Sequence, residues 1–423
     1  MTAPSANQPA PPYVLVVAVA GMVADRDLLT EVAEGEFTTL GVAGRFLTVP
    51  NATGLRRALD SVGRDPSTVL VVLPGPDPAV RALMAVDGPH AARTVWFDLA
   101  VTDPAPVAAG SVHLQGRGVW GLGWAVRHAV HRLRNPAVRI AYGPHPEQWG
   151  DLRLPASVAP AAVADPEPVD GAESEPVDGA EPAGGPPPVA VLLHGGFWRS
   201  IWGADLMDAL AIDLAARGYA VWNLEYRRPD RHGWDTTVAD VAAGLEALAD
   251  LDALAAGRAG GATLNLDLDV NLNSRLRVDL GRIAVLGHSA GAQLALRAAA
   301  DTRRPALVVS LAGVLDLVEG DRRDIGSGAV AGALGGRHGD LPAVYAAADP
   351  MLRLPIGVPQ LVVQGHADDL DLRDFNRRYV AAARAAGDEV VHLEHPGDHF
   401  SVIDPGAYVW RAAAAELDRR LNP

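Results

Sequence analysis

Residues 287–291, Gly-His-Ser-Ala-Gly, set a serine between two glycines, and the flanking residues bear on whether that serine can attack a carbonyl. "IAVL" before Gly287 has strand character and "QLALRAAA" after Gly291 has helix character. That is the strand-turn-helix setting in which a Gly-x-Ser-x-Gly turn lifts its serine into the open. The glycines have a steric reason, because a side chain at either position of so sharp a turn would strike the neighbouring strand or helix. A glycine turn with an incidental serine is the alternative reading. A serine hydroxyl is a weak nucleophile near neutral pH, so it needs a base, and the base needs a carboxylate to orient it. In this setting the partners are expected in the order Ser, Asp, His, each in a loop after a later strand. Asp368, three residues past the glycine that ends "QLVVQG", is the candidate acid, with Asp369 and Asp371 read as solvated helix-cap residues. His399, after "EVVHLEHPGD", is the candidate base; its rival His395 directly follows a strand and precedes Pro396.

Acyl transfer also needs preorganised N–H donors for the developing oxyanion. The turn His194-Gly195-Gly196 follows the strong strand "VAVLL". The backbone amides of Gly196 and Phe197 are the candidates there, with the amide of Ala290 completing the set. Phe197, Trp198 and Trp202 beside this turn, with Tyr226 and Trp234 after the next strand, suit an aromatic wall for a flat acyl or aryl group; core packing is the alternative for each. His128 and His131 share a helix face without the carboxylate or third ligand that a metal site wants.

These residues must be held by sheets. From Tyr13 to Asn135, apolar runs such as "YVLVVAVA", "RFLTVP", "TVLVVLP", "TVWFDLA" and "SVHLQG" alternate with the helical stretches "TGLRRALDSVG", "DPAVRALMAV" and "WAVRHAVHRLRN", which predicts a small α/β domain over 13–137 with a parallel sheet covered on both faces. A second, larger α/β series fills 138–423, with strands predicted at "RIAYG", "GDLRLP", "VAVLLHGG", "YAVWNLEY", "RIAVLGHS", "ALVVSLAG", "QLVVQGHAD" and "VVHLEHPGDH", and helical stretches between them such as "LMDALAIDLAARG", "TTVADVAAGLEALADLDALAA" and "DFNRRYVAAARAAG". Residues 1–12 read as a flexible tail. Two inserts interrupt the second series. Residues 156–188 are rich in Pro, Ala and acid, repeat "EPVDGA", and read as a disordered loop. Residues 257–279 alternate Leu with polar residues, and an extra hairpin and a flexible spacer both fit.

Composition sets outer limits. The 423 residues exceed one ordinary core, and half are apolar, as in a globular protein. Net charge is −15, every basic side chain is arginine, and seven of the negative charges fall in the acidic insert, leaving −8 elsewhere. Such a surface repels phosphate backbones and argues against nucleic-acid partners. With no cysteine, thiolate catalysis, disulfides and zinc-thiolate sites are excluded. The run "YVLVVAVAGMVA" is too short to span a membrane, and its leader lacks a basic n-region, so no membrane partner and a cytoplasmic location are the expectations.

Taken together, "HGGFWRSIWGADLMDALAIDLAARGYAVWNLEYRRP", "GHSAGAQLALRAA", "SLAGVLDL", "YAAADP", "GHADD" and "HPGDHFSVIDP" resemble the kynurenine formamidase and carboxylesterase branch of the α/β-hydrolases over about 138–423. The resemblance implies an α/β-hydrolase fold and a serine hydrolase of small esters or aryl formamides that works through an acyl-enzyme without metal or organic cofactor. Carried onto this chain, it makes Ser289 nucleophile, His399 base then acid, and Asp368 orienter, and the His194 turn resembles the HGGG-type loop of esterases. Ala292-Gln293 departs from the glycine run of relatives, which bears on packing and not on the triad. "VLVVAVAGM", "VVLPGPDPAVRALM" and "GRGVWGLGWAVRHAVHRL" resemble strand ends and the final helix of type II dehydroquinase, a flavodoxin-like fold. But no tyrosine lies between Tyr13 and Tyr142 and "ARTVWFDLAVTDPAPVAAG", over the fourth strand, holds neither Glu nor His, so a scaffolding, homo-oligomerisation or lid role is the expectation for this domain. "GLGWAV" lacks the third glycine of a dinucleotide fingerprint. Two other classes stay open: a binding or scaffold protein on the hydrolase fold, and a prolyl-oligopeptidase-like peptidase, against which the absence of propeller repeats counts.

Overall fold

A computed structural model describes residues 11–62, 65–155, 185–255, 278–302 and 304–422. The tail up to residue 10, the acidic insert over 156–184 and the second insert up to 277 lie outside the described residues. The chain forms two compact units that divide between Ala137 and Val138.

The first unit is a five-stranded parallel sheet in the order β2-β1-β3-β4-β5, the doubly wound flavodoxin-like order. Its strands are β1 (Tyr13–Val19), β2 (Ala43–Val49), β3 (Thr68–Leu73), β4 (Thr94–Asp98) and β5 (Val112–Gln115). Side chains of a strand alternate between faces, so one strand feeds two cores. Val14, Val16 and Ala18 meet α1 (Arg26–Leu40) and α4 (Gly121–Arg134), while Leu15, Val17 and Val19 pack with residues of α2 (Ala52–Val62) and the short α3 (Pro78–Arg81). Helix α1 has no counterpart among the helices expected from sequence. It is amphipathic all the same, with Leu29, Ala33 and Phe37 buried at four-residue spacing, Asp25 accepting from Leu28 N at its start and Gly41 in the left-handed region at its end.

Among the described residues, the second unit carries eight strands in the order β13-β12-β11-β10-β8-β9-β7-β6. They are β6 (Val138–Ala141), β7 (Trp149–Arg153), β8 (Pro188–Leu193), β9 (Ala220–Leu224), β10 (Asp279–His288), β11 (Leu307–Leu311), β12 (Gln360–Gly365) and β13 (Val390–His395). Only the pairings of β7 with β6 and β9 are antiparallel. Helices α5 (Asp208–Ala216), α6 (Pro229–His232), α7 (Trp234–Ala255), α8 (Ala290–Thr302), α12 (Leu370–Ala385) and α13 (Tyr408–Leu421) connect or follow the strands. Between β11 and β12 run α9 (Leu317–Arg322), α10 (Ile325–Leu334) and α11 (Pro342–Ala348), three helices not predicted from sequence. After β8 the chain proceeds to β9 on one side, then crosses to β10 on the other. The strand order therefore reverses between β8 and β10, and in open α/β sheets the crevice beyond such a switch point is where ligands bind.

Close packing near the antiparallel edge depends on one small residue. A Cβ on Gly150 of β7 would sit 2.4 Å from the Trp222 indole, which is fully buried and held by its Nε1–H donating to Gly244 O at 2.9 Å. Gly150→Ala is expected to lose about 1–3 kcal/mol through overpacking. Gly332→Ala, in a helix with nothing within 4 Å of the added carbon, is expected to be neutral or stabilising. Urea unfolding of both variants checks the contrast, and equal behaviour would contradict it.

Candidate functional site

Four strand ends bring the predicted residues to one edge of the sheet. Gly287 of β10 is in register with Leu193 of β8, so the serine turn and the glycine turn emerge side by side. Gly195 packs directly against the serine: a Cβ there would lie 2.8 Å from both Ser289 Cβ and His288 O. The turn around Ser289 is as tight as its glycines imply. A Cβ on Gly287 would meet Gly291 O at 2.1 Å, and one on Gly291 would meet Leu193 O at 2.2 Å. Ser289 itself is buried and takes φ +54, a conformation that costs a non-glycine residue energy and persists only where its surroundings enforce it. Its N–H donates to Leu311 O of β11 at 2.8 Å, and Val314 N donates back to Ser289 O at 3.3 Å.

Asp368 and His399 meet beyond β12 and β13. Nδ1 of His399 lies 3.0 and 3.1 Å from the two carboxylate oxygens of Asp368. A carboxylate only accepts, so Nδ1 carries the proton and Nε2 is left as the basic nitrogen. Asp368 is buried and satisfied twice more, by Gln364 Nε2 at 2.6 Å and by the N–H of Asp369 at 2.7 Å. Asp369 caps α12 by accepting from Asp371 N, and Asp371 pairs with Arg323, as helix-start residues do. His395 ends β13 with its ring edge-on to Tyr408. The His399 loop is pinned from both sides. Gly397 O accepts from Ala367 N at 2.8 Å, and Asp398 Oδ1 accepts from Phe400 N, Ser401 N and the Ser401 hydroxyl.

His288, the residue before the serine, ties the two halves together. Its Nε2–H donates to His399 O at 3.0 Å, and the two imidazole centroids are 4.8 Å apart. Its Nδ1 is buried without a hydrogen-bond partner, and burial, with the nearby His399 ring adding to it, pushes the His288 pKa down to about 3. Read from the sequence, His288 is a satisfied or surface histidine flanking the serine, and nothing in the pentapeptide points to His399.

The glycine turn is braced from below. His194 stacks on Tyr226 at 4.4 Å, the Tyr226 hydroxyl donates to His194 O at 2.7 Å, and Glu225 Oε1 lies 3.3 Å from His194 Nε2. Glu225 also pairs with Arg228 and accepts from Ala204 N. Gly196, Phe197 and Trp198 run consecutively through positive φ, at +108, +51 and +55. This backbone turns the chain sharply, and a Cβ on Gly196 would overlap the Trp202 ring at 2.3 Å. Ala290 begins α8, so its amide belongs to the exposed N–H set of a helix N-terminus.

Three members of the expected aromatic wall take the core-packing alternative. Trp198, Tyr226 and Trp234 belong to the hydrophobic core, and the polar atoms of the first two are spent inward. Trp198 Nε1–H donates to Gln293, whose own amide donates to Ala348 O, so the departure at Ala292-Gln293 is a bridge from α8 to the segment after the glycine turn and to α11. Phe197 and Trp202 stay partly exposed, and Phe197 packs against Gly326, where α10 is interrupted by left-handed backbone at 326–328.

The buried neutral imidazole of His288 has a consequence for stability. In the unfolded chain it protonates below its ordinary 6.5, whereas in the fold it resists protonation down to about 3. The unfolded state therefore binds more protons in that window, and stability falls with falling pH by up to about 1.4 kcal/mol per unit. His288→Gln, which keeps a donor for His399 O, is expected to flatten the fall between pH 6 and pH 4 in denaturant titrations. An unchanged slope would contradict the assignment.

Known proteins can now be set beside this geometry. The Abhydrolase_3 family, described as alpha/beta hydrolase fold, matches residues 190–403. A comparison with curated proteins finds no match. Among solved structures the chain is similar to esterase B from Lactobacillus Rhamnosis (HN001), at 16% identity over 70% of this chain and 90% of that one with TM-score 0.48. It is similar also to a bacterial heroin esterase, at 23% identity over 67% and 83% with TM-score 0.46, and to carboxyl esterase 2 from the mycorrhizal fungus Tuber melanosporum, at 14% over 68% and 87% with TM-score 0.48. The family matches just over half of the chain, from the strand before the glycine turn to the loop past His399, and the protein belongs to the Abhydrolase_3 family of the alpha/beta hydrolase fold.

Proposed function

We propose that the protein is a serine hydrolase of small carboxylic esters or aryl formamides. The observation that carries the reading is the bond of His399 Nδ1 to both oxygens of buried Asp368, on a loop tied through His288 to the residue next to Ser289. In the proposed cycle the Ser289 hydroxyl oxygen bonds to the substrate carbonyl carbon as His399 Nε2 takes its proton. The carbonyl oxygen becomes an oxyanion among the amides of Gly196, Phe197 and Ala290. Collapse breaks the bond to the alcohol or amine, which leaves with the proton from His399. Water then attacks the acyl-enzyme by the same steps in reverse roles, returning free Ser289 and the carboxylic acid. Asp368 stays ionised throughout and holds the imidazole in the one tautomer that can accept from serine.

Hydrolysis of p-nitrophenyl acyl esters, N-formylkynurenine and a prolyl peptide, measured side by side, tests the reaction class. Turnover of esters or of the formamide with an inert peptide is the expected outcome; peptide cleavage alone would contradict it. Asp368→Asn should lower kcat by about 10^3–10^4-fold, because the amide favours the wrong imidazole tautomer. Asp369→Asn, a change in the adjacent cap, should alter kcat by less than about tenfold. One residue inserted between Gly195 and Gly196 should cost about 100-fold or more in kcat, the scale of one lost oxyanion donor.

A further inference from the structure

The hairpin between β6 and β7 holds His145 between two prolines, two residues before Glu147. The turn is fixed by its own bonds: Tyr142 N donates to Gln148 O, Gln148 N to His145 O, and His145 N to Gln148 Oε1. Gln148 Nε2 in turn donates to Asp240 Oδ1 at 2.7 Å, which anchors the turn to α7. Nδ1 of His145 lies 3.2 Å from Glu147 N, and Nε2 serves a ligand when the ring proton moves to Nδ1 and that bond is given up. His232, 85 residues further on at the end of α6, brings its Nε2 to 3.1 Å from Glu147 Oε2, and its ring stands edge-on to His145 at 5.0 Å. One ligand atom from each of His145, Glu147 and His232 lies within 4.8 Å of the other two, and all three side chains are partly buried.

We propose that His145, Glu147 and His232 form a binding site for a divalent cation of the zinc class. Two imidazole nitrogens and one carboxylate oxygen suit Zn2+ better than Mg2+ or Ca2+, which prefer oxygen sets. Zinc bonds of about 2.0–2.1 Å place tetrahedral ligands about 3.4 Å apart, so the three atoms need to close by little more than 1 Å. Binding replaces the Glu147 to His232 hydrogen bond, the His232 ring carrying its proton at Nδ1 so that Nε2 is free to bind the ion. Arg228 pairs with Oε1 of Glu147 and is matched by Glu225 as well, which leaves Oε2 for the cation. A water molecule completes a four-coordinate shell. The cation thereby clips the β6–β7 hairpin to α6, at the far end of the chain of contacts that runs from Glu147 through Arg228 and Glu225 to His194. Nothing in this site depends on the hydrolase reading.

Calorimetric titration of the chelator-stripped, full-length protein with zinc sulfate tests the site. One equivalent bound, with a rise in Tm on zinc and none on equimolar Mg2+, is expected. His145→Gln and His232→Gln should each weaken that binding by about 100-fold while keeping the metal-free Tm. Absence of a stoichiometric zinc, or equal binding by both variants, would overturn the proposal. Should either variant fail to fold, the visible spectrum of the cobalt(II)-loaded wild-type protein decides instead. Intense bands of a four-coordinate ion support the site, and the weak bands of the hydrated ion refute it.

Discussion

The site rests on a close approach that only glycine allows. Gly291 presses against the carbonyls of Leu193 and His194, and Gly287 presses against Gly291 itself, each with no room for a Cβ. Because α8 can therefore start within contact of the end of β8, the serine turn and the glycine turn share one crevice. Protein interiors transmit such constraints, being packed as densely as organic crystals. Moving either turn by a methyl group would separate Ser289 from Gly195.

From that contact outward the structure is a set of ties between neighbouring strand ends. β10, β11, β12 and β13 lie next to one another in parallel register, so the loops after them reach the same edge. Ser289 is bonded to the end of β11, His366 and Ala367 to the loop that carries His399, and His399 to His288. A buried carboxylate is tolerated at Asp368 because it accepts from an imidazole, an amide side chain and a backbone N–H. The same economy holds below the glycine turn, where Glu225 is shared between His194, Arg228 and the Ala204 amide.

Much of this was legible in the sequence, for a physical reason. Parallel strands buried on both faces must be continuous apolar runs, and "VAVLLHGG", "RIAVLGHS" and "QLVVQGHAD" read as such. Glycine spacing in the 287–291 turn likewise follows from sterics. Helix α1 escaped notice because Gly35 and the threonines near its end dilute its apolar stripe, although Leu29, Ala33 and Phe37 keep the helical spacing. Helices α9 to α11 escaped because the glycine-rich run 326–336 contains left-handed backbone within α10. The supporting roles of His288, Glu225, Gln364 and Gln293 were invisible for another reason: each depends on a partner that only strand register brings near. His145, Glu147 and His232 fall in the same class, since their convergence requires a hairpin and a helix separated by three strands, a helix and an insert.

We propose that Ser289 is a nucleophile activated by the His399–Asp368 pair. Intact-protein and peptide mass spectrometry after exposure to a fluorophosphonate reports on this most directly, because the reagent phosphonylates only an activated serine. One adduct per chain is expected, located on Ser289 and lost in His399→Ala. Labelling at another residue, or an inert wild-type protein, would contradict it.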